Sequence, residues 1–168
     1  MTFTHPKGKH RARPIYWLRW WPLLIGRRSI SRKVRFYFTA KYDLPGTYDD
    51  EDVNKLFGIS FLKPHRNSAR FGWRYDPVLE KVILSAYCYI NGERHIVDLC
   101  KAYFNKNYEC EIIITDSYYL FRVTYDYEIV AEQMISKGHN KKLGWLLGPY
   151  FGGNNPAPHT FTFQLSKI

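Results

Sequence analysis

From residue 33 onward, hydrophobic and polar side chains alternate along the chain with a period of two. Successive side chains of a strand point to opposite faces of a sheet, so this alternation predicts strands that are buried on one face. The first such stretch is KVRFYFTAKYD, residues 33–43, whose hydrophobic positions are Val34, Phe36, Phe38, Ala40 and Tyr42. The pattern recurs in residues 80–99, 107–116, 119–126 and 159–166.

Turn residues separate these stretches. Asn91-Gly92 interrupts residues 80–99 and supplies the positive φ angles that a tight hairpin requires. Asp116-Ser117 predicts a second hairpin between residues 107–116 and 119–126. A series of about ten short strands joined by turn residues predicts an all-β fold, a two-sheet antiparallel β-sandwich or jelly roll.

Two stretches depart from the strand pattern. YDDEDVNKLF, residues 48–57, predicts one short helix, because its acidic first turn suits the positive end of the helix dipole. Val53, Leu56 and Phe57 also lie at helical spacing. YEIVAEQMISKG, residues 127–138, fits either a strand that runs into a bend or a second short helix.

The net charge of +10 changes this picture, because it is concentrated at the N-terminus. Residues 1–42 contain eleven Lys or Arg and no Asp or Glu, which leaves 14 basic and 15 acidic residues in the rest of the chain. The asymmetry predicts a basic N-terminal arm, residues 1–32, attached to a nearly neutral sandwich domain, residues 33–168. Residues 1–14 hold two Pro and a Gly among basic residues, and we expect them to be extended and mobile unless a partner orders them.

The arm concentrates tryptophan beside arginine. One interpretation is that residues 15–26 pack over an open edge or end of the domain. The other is that they dock on an acidic partner, which would be a protein assembly, nucleic acid or a membrane surface. The candidate partner-binding residues are Arg11, Arg13, Trp17, Arg19, Trp20, Trp21, Arg27 and Arg28.

Cysteine usage and the apolar run bear on localisation. The three cysteines are an odd number without CxxC spacing, which disfavours a disulfide framework and a zinc site and favours a reducing compartment. The apolar run at residues 15–26 is interrupted by Arg19 and Pro22 and is shorter than the ~20 residues that span a bilayer. We therefore expect a cytoplasmic protein, or one carried in a phage particle, that is not exported by a signal peptide.

Paired arginines give the first candidate chemistry. In KPHRNSARFGWRYD, residues 63–76, Arg70 and Arg74 alternate with aromatic residues, so a strand here would present both guanidinium groups on one face. Arginine binds planar oxyanions through a rigid two-donor fork, which suits a carboxylate, sulfate or phosphate. Alternatively, both arginines are cross-strand partners for acids such as Glu80 or Glu111.

Other polar and aromatic side chains share the outward positions of the predicted strands. Hydroxyl-bearing aromatics and guanidinium groups suit sugar rings or stacked bases, so they predict a groove on the concave side of one sheet. The C-terminal stretch LGPYFGGNNPAPH is either the turn that leads into the last strand or a ligand loop with a His at its rim. The candidate ligand-binding residues are Tyr37, Thr39, Arg70, Arg74, Tyr87, Tyr89 and His159.

Catalytic signatures are absent from the sequence. It contains no G-x-S-x-G, H-E-x-x-H, P-loop or G-x-G-x-x-G motif, and the six His lack metal-ligand spacing. The acidic residues 49–52 are adjacent rather than spaced as calcium ligands, and a helix start explains them. The sequence therefore predicts no enzyme, no metal and no cofactor, with a lyase that uses Arg, His and Tyr in the groove as the residual enzymatic alternative.

The run of short alternating strands and the Gly-rich entry to the last strand resemble the concanavalin A-like jelly roll of lectins, glucanases and several polysaccharide lyases. The stretches DVNKLFGISF, NSARFGWR and GPYFGGNNPAPH also resemble small uncharacterised β-sandwich proteins of Bacteroidetes-type bacteria and their phages. The resemblance covers residues 33–168 and implies a fold without implying an activity.

Three functions remain open at this point. The first is a non-enzymatic binding module whose groove takes a glycan or other polar ligand while the arm docks on an acidic partner. The second is a phage particle or assembly protein whose arm contacts neighbouring subunits or nucleic acid. The third is a polysaccharide lyase-like enzyme.

Overall fold

The computed structural model describes residues 1–14, 28–42, 52–61, 63–139, 143–152 and 155–168. Within these ranges the chain forms strands joined by turns and one short 3₁₀-helix, Phe38–Ala40. The strands are β1 Thr2–His5, β2 Ser29–Phe36, β3 Asn54–Ser60, β4 Ser68–Asp76, β5 Lys81–Ile90, β6 Glu93–Ala102, β7 Tyr108–Ile114, β8 Tyr118–Tyr125, β9 Glu128–Ser136, β10 Trp145–Leu147 and β11 Phe161–Ser166.

The strands make two antiparallel sheets. A six-stranded sheet has the order β1-β11-β2-β7-β8-β9, and a five-stranded sheet has the order β10-β3-β4-β5-β6. All strand pairs within the two sheets are antiparallel, and consecutive strands such as β5–β6 and β7–β8 are joined by short turns. The predicted all-β, two-sheet antiparallel sandwich with one short helical turn is confirmed.

Aromatic rings from the two sheets meet in the core. Phe36 of the six-stranded sheet lies with its ring centroid 5.0 Å from that of Trp73 of the five-stranded sheet. Phe71 and Phe121 make a second contact between the sheets, edge to face at 5.3 Å. All four side chains are fully buried. The inward positions of the period-two pattern therefore build the core, as two packed sheets demand.

Both predicted hairpins are present. Asn91 and Gly92 join β5 to β6 with φ angles of 54° and 98°, the conformation that an Asn-Gly hairpin turn adopts. In the β7–β8 turn, the Thr115 hydroxyl accepts a hydrogen bond from the Tyr118 N–H at 2.9 Å. Residues 127–138, for which strand and helix were both open, contain the edge strand β9, Glu128–Ser136.

The helix expected over residues 48–57 is not formed where the chain is described. Asn54–Ser60 is strand β3, and residues 48–51 lie outside the described residues. The short apolar run that begins at Leu56 fits a strand buried on both faces as well as it fits a helix, because such a run carries no distinguishing period. The strand predicted over residues 33–43 also ends early, at Phe36, and the Phe38 side chain is exposed.

The first fourteen residues do not form the mobile tail that their composition suggested. Thr2–His5 pairs with β11 as an edge strand, and Phe3 and His5 are fully buried. Phe3 and His5 occupy alternate positions, so this segment carries its own inward face, which the density of charge and proline obscured. Residues 15–27, which include Trp17, lie outside the described residues, and their role as an arm stays a prediction.

Candidate functional site

The outer face of the five-stranded sheet brings together several of the candidate ligand-binding residues. Arg70 on β4 is directly paired with Tyr87 on β5, and the next outward pair is Ser68 with Tyr89. Residues paired across a ladder share a face of the sheet, so Arg70, Tyr87 and Tyr89 lie side by side. Arg70 and Tyr87 are buried, and Tyr89 is half-buried.

Lys55 on β3 belongs to the same cluster. Its Nζ lies 4.5 Å from the centroid of the Tyr87 ring, and the side chain is 7% exposed. The pKa of Lys55 is lowered to about 8, mainly by burial and then by the positive charges of Arg70 and Arg94, while the negative charge of Asp52 acts in the opposite direction. A buried amine next to two guanidinium groups concentrates positive charge, which favours the binding of an anion.

Tyr87 and Tyr89 carry the hydroxyl groups of the cluster. Burial, followed by hydrogen bonding to Tyr89, raises the pKa of Tyr87 far above its ordinary value. Arg94 on β6 is paired with Tyr89 and is exposed, and the His65 ring meets the Tyr89 ring edge to face at 5.1 Å. The cluster therefore opens toward the β5–β6 side. We call Lys55, Arg70, Tyr87, Tyr89 and Arg94 the cationic site.

Two glycines make the cationic site possible. A Cβ at Gly58 would lie 2.1 Å from the Ala69 carbonyl oxygen and 2.9 Å from Arg70 Cγ, so only glycine lets the Arg70 side chain lie across β3. A Cβ at Gly72 would lie 2.2 Å from Val53 Cγ1. Val53 thus packs onto the outer face of the sheet at Gly72, beside Lys55.

Arg74 is held apart from the cationic site by an ion pair. Its two terminal nitrogens each donate to an Asp98 carboxylate oxygen at 2.6 Å, and Ser85 Oγ donates to the same carboxylate at 2.9 Å. This hydrogen bonding raises the pKa of Arg74 and lowers that of Asp98. Arg74 therefore has a cross-strand acid partner, as one of the two interpretations expected, but the partner is Asp98.

The remaining candidate ligand-binding residues lie against the other sheet. The Thr39 hydroxyl accepts from the Thr162 N–H at 3.1 Å, and the His159 Nε2 lies 2.9 Å from the Thr39 carbonyl oxygen, to which it donates. The Tyr37 hydroxyl lies 3.5 Å from Gln164 Oε1 on β11. The prediction of one groove lined by Tyr37, Thr39 and the arginines is wrong, because the chain turns into the 3₁₀-helix after Phe36 and follows the six-stranded sheet.

The described part of the predicted arm is divided between two places in the fold. The Arg13 N–H donates to the Thr4 carbonyl, and Arg11 is paired with Tyr150, so both lie near β1 and β10. The Arg28 carbonyl accepts from the Ile114 N–H beside β7. The other candidate partner-binding residues, Trp17, Arg19, Trp20, Trp21 and Arg27, lie outside the described residues.

The Gly-rich C-terminal stretch packs against its own chain at Gly152. The Gly152 N–H donates to Asn54 Oδ1 at 2.8 Å, and Asn54 Nδ2 donates to the Tyr42 hydroxyl at 2.8 Å. A Cβ at Gly152 would meet the Val53 carbonyl oxygen at 2.4 Å and Lys55 Nζ at 2.7 Å. Gly152 thus admits a close crossing of two segments beside Lys55, and Gly153 lies outside the described residues.

Sequence reasoning missed Lys55 and Arg94 as members of the cationic site. Lys55 was hidden because residues 48–57 were interpreted as a helix, where it would face solvent. Arg94 sits in the stretch predicted to return from the Asn91-Gly92 turn, opposite Tyr89, and counting pairs outward from that turn would have found it.

Comparison with known proteins gives structural neighbours only. No protein-family model matches the chain, and no curated protein matches it in sequence. The structure of the alginate lyase AlyC3 is similar over 83% of this chain and 61% of the lyase chain, with a TM-score of 0.56 and 12% identity. A functionally unknown protein from Saccharomyces cerevisiae is similar over 83% of this chain and 69% of its own, with a TM-score of 0.50 and 10% identity.

The fold of this chain is therefore a jelly-roll-type β-sandwich that it shares with an alginate lyase, of which it spans less than two thirds. The prediction that the protein is not an enzyme, which was based on the absence of catalytic motifs, is contradicted by this neighbour, because an enzyme has the same fold. The resemblance to proteins of Bacteroidetes-type bacteria and phages stays a prediction.

In the described ranges, no helix has the length and apolar character that crossing a membrane requires. Likewise, no three His, Cys, Asp or Glu side chains of the described residues come together as metal ligands would.

Proposed function

We propose that the protein is a polysaccharide lyase-like enzyme that cleaves an acidic polysaccharide by β-elimination at the cationic site. The observation that carries this proposal is the direct pairing of Arg70 with Tyr87, with Lys55 Nζ 4.5 Å from the same phenol ring. The jelly-roll fold shared with an alginate lyase supports it.

Arginine has the role of binding the carboxylate of a uronate unit. The Arg70 guanidinium offers two parallel donors to the two carboxylate oxygens, and Arg94 adds positive charge at the open side of the cationic site. Neutralising the carboxylate acidifies the proton on the carbon next to it, because the negative charge that develops there is delocalised into the carboxylate.

Proton transfer completes the reaction. The neutral amine of Lys55, whose pKa is about 8, takes the acidified proton, and the electron pair of the broken C–H bond forms a C=C bond. The glycosidic C–O bond breaks, and its oxygen leaves with a proton from the Tyr87 hydroxyl, which the raised pKa keeps protonated. The Lys55 ammonium then loses its proton to solvent, and Tyr87 regains one from solvent.

The test is an incubation of the full chain with alginate, pectate or hyaluronan at pH 8, following the ultraviolet absorbance of the new C=C bond conjugated with the carboxylate. We expect product from at least one acidic polymer and none from the neutral polymer dextran. Arg70→Gln should abolish the product, and the matched variant Arg74→Gln should retain it. Absence of product from all three polymers, or wild-type rates in Arg70→Gln, would overturn the proposal.

A further inference from the structure

The N-terminal segment is joined to the cationic site by a backbone ladder. Tyr150 is paired with Lys55, with N–H to O distances of 2.8 and 2.9 Å in the two directions. On its other side Tyr150 is paired with Arg11, and the Phe151 N–H donates to the His10 carbonyl at 2.7 Å. Tyr150 therefore continues the row of β10 along β3, and Arg11 adds one further short row to the five-stranded sheet beyond it.

Arg11 lies on the outer face of the five-stranded sheet, and Arg13 follows it at the corner where the segment pairs with β1 of the six-stranded sheet. Residues paired across a ladder share a face, so Arg11, Tyr150 and Lys55 lie on the same face. The alternation of exposure agrees, because Ala12 is buried between the exposed Arg11 and Arg13. Two backbone hydrogen bonds between Arg13 and Thr4, at 2.6 and 2.8 Å, fix the segment to β1.

These rows place cations across the whole width of the sheet. Arg94, Arg70, Lys55 and Arg11 lie on the rows of β6, β4, β3 and the N-terminal segment. From β6 to Arg11 there are five inter-strand steps of ~4.8 Å, which is roughly 24 Å. Residues 1–42 contribute no acidic side chain beside Arg11, and Asp52 is the acidic side chain that acts on Lys55.

We propose that Arg11 and Arg13 extend the cationic site into a track, running across the strands, that binds an extended acidic polysaccharide. The identity of the polymer rests on the proposed function, whereas the binding itself does not require the chemistry. Nucleic acid is disfavoured, because base stacking needs open aromatic faces. Tyr87 is 4% exposed, and the Tyr150 ring is stacked on His10 with centroids 5.4 Å apart.

The experiment measures binding of the full chain to a uronate disaccharide and to a uronate oligomer long enough to span the track, at several salt concentrations. We expect Arg11→Gln combined with Arg13→Gln to weaken binding of the long oligomer roughly tenfold and to lower its salt slope by about one unit. Binding of the disaccharide should be unchanged. Lys106→Gln combined with Lys167→Gln removes the same charge at two exposed positions elsewhere and should leave both affinities unchanged.

Each other outcome has a distinct meaning. Equal losses from the two double variants would show an effect of net charge alone and overturn the track. Tighter binding of single-stranded DNA than of a uronate oligomer of equal charge would overturn the polysaccharide as its occupant. If binding depends on oligomer length but no elimination product forms, the track is supported and the proposed chemistry is wrong. If product forms but the variant with Arg11→Gln and Arg13→Gln binds the long oligomer as the wild type does, the chemistry is supported and the track is wrong.

Discussion

Arg70 and Tyr87 stand directly opposite each other on two central strands of the five-stranded sheet, with both side chains on its outer face. A shift of one residue in the register of either strand would send one of them into the core. The pairing is therefore fixed by the same alternation that buries Phe71 and Ala86 beside them. The pairing of Arg70 with Tyr87 and the burial of Phe71 and Ala86 therefore depend on the same register between β4 and β5.

The first prediction concerns the room that Gly58 makes for Arg70. Gly58→Ala should lower the free energy of unfolding by about 2 kcal/mol or more, because its Cβ would lie 2.1 Å from a backbone oxygen. Gly148→Ala is the matched control, since a Cβ there meets no atom within 4 Å. Urea denaturation of both variants checks this, and equal stabilities would contradict the crowding at Gly58.

The second prediction concerns the buried amine of Lys55. Its pKa falls from 10.5 to about 8 on folding, so the folded state holds the ammonium at a cost of about 3 kcal/mol at pH 7. Lys55→Met should therefore raise the free energy of unfolding at pH 7 while abolishing binding of acidic oligosaccharides.

The second prediction also states how the free energy of unfolding changes with pH. Between pH 8 and 10.5 the unfolded chain keeps the Lys55 proton that the folded chain has lost, so wild-type stability should rise with pH. The advantage of Lys55→Met, measured by urea denaturation from pH 7 to 10, should shrink over that range. An advantage that stays constant would show that Lys55 has an ordinary pKa.

The third prediction concerns His5, which is fully buried among Phe151, Phe161 and Phe163. Neither ring nitrogen has a hydrogen-bond partner in the described part of the chain. Burial, together with a smaller electrostatic effect of His10, lowers the pKa of His5 from 6.5 to about 4. Between pH 6.5 and 4, the His5 imidazole is therefore protonated in the unfolded chain and neutral in the folded chain.

Stability should fall by about 3 kcal/mol in that interval through His5 alone. His5→Phe keeps the ring packing and removes the titration, so subtracting its unfolding free energy from that of the wild type isolates the effect from the carboxylates. A difference that does not change between pH 7 and 4 would mean that His5 is protonated in the fold.

The fourth prediction separates the two arginines of β4. Arg74→Ala should cost about 1 kcal/mol or less, because its ion pair with Asp98 is partly exposed and such pairs contribute little. The rate of β-elimination should stay within about twofold of wild type, since Arg74 is engaged away from the cationic site. A loss of activity comparable to that of Arg70→Ala would place Arg74 in the site after all.

Much of the fold follows from local rules that the sequence obeys. The Asn91-Gly92 hairpin and the inward faces of β7, β8 and β11 required only period two and turn chemistry. Strand β3 was missed because its burial on both faces removes the period that distinguishes strand from helix. The prediction that residues 1–14 are mobile was wrong. It was based on the charge and proline content of the segment and overlooked its two inward-facing residues, Phe3 and His5.

The candidate site was harder to anticipate, because it depends on partners distant in sequence. Local alternation placed Arg70, Tyr87 and Tyr89 on one face correctly, since all three belong to neighbouring strands. It could not show that Thr39 follows the other sheet, which depends on a turn after Phe36. Nor could it show that Asp98 forms an ion pair with Arg74, because this contact depends on the register of β6.

The pairing of β1 with β11 has a consequence for the order in which the molecule is made. Met1 and Leu165, joined by a hydrogen bond at the edge of the six-stranded sheet, are 164 residues apart in the chain. During translation β1 leaves the ribosome long before β11, so Phe3 and His5 have no sheet partners until β11 has been synthesised. Such distant contacts slow folding, so this edge of the sandwich should close more slowly than the local hairpins form.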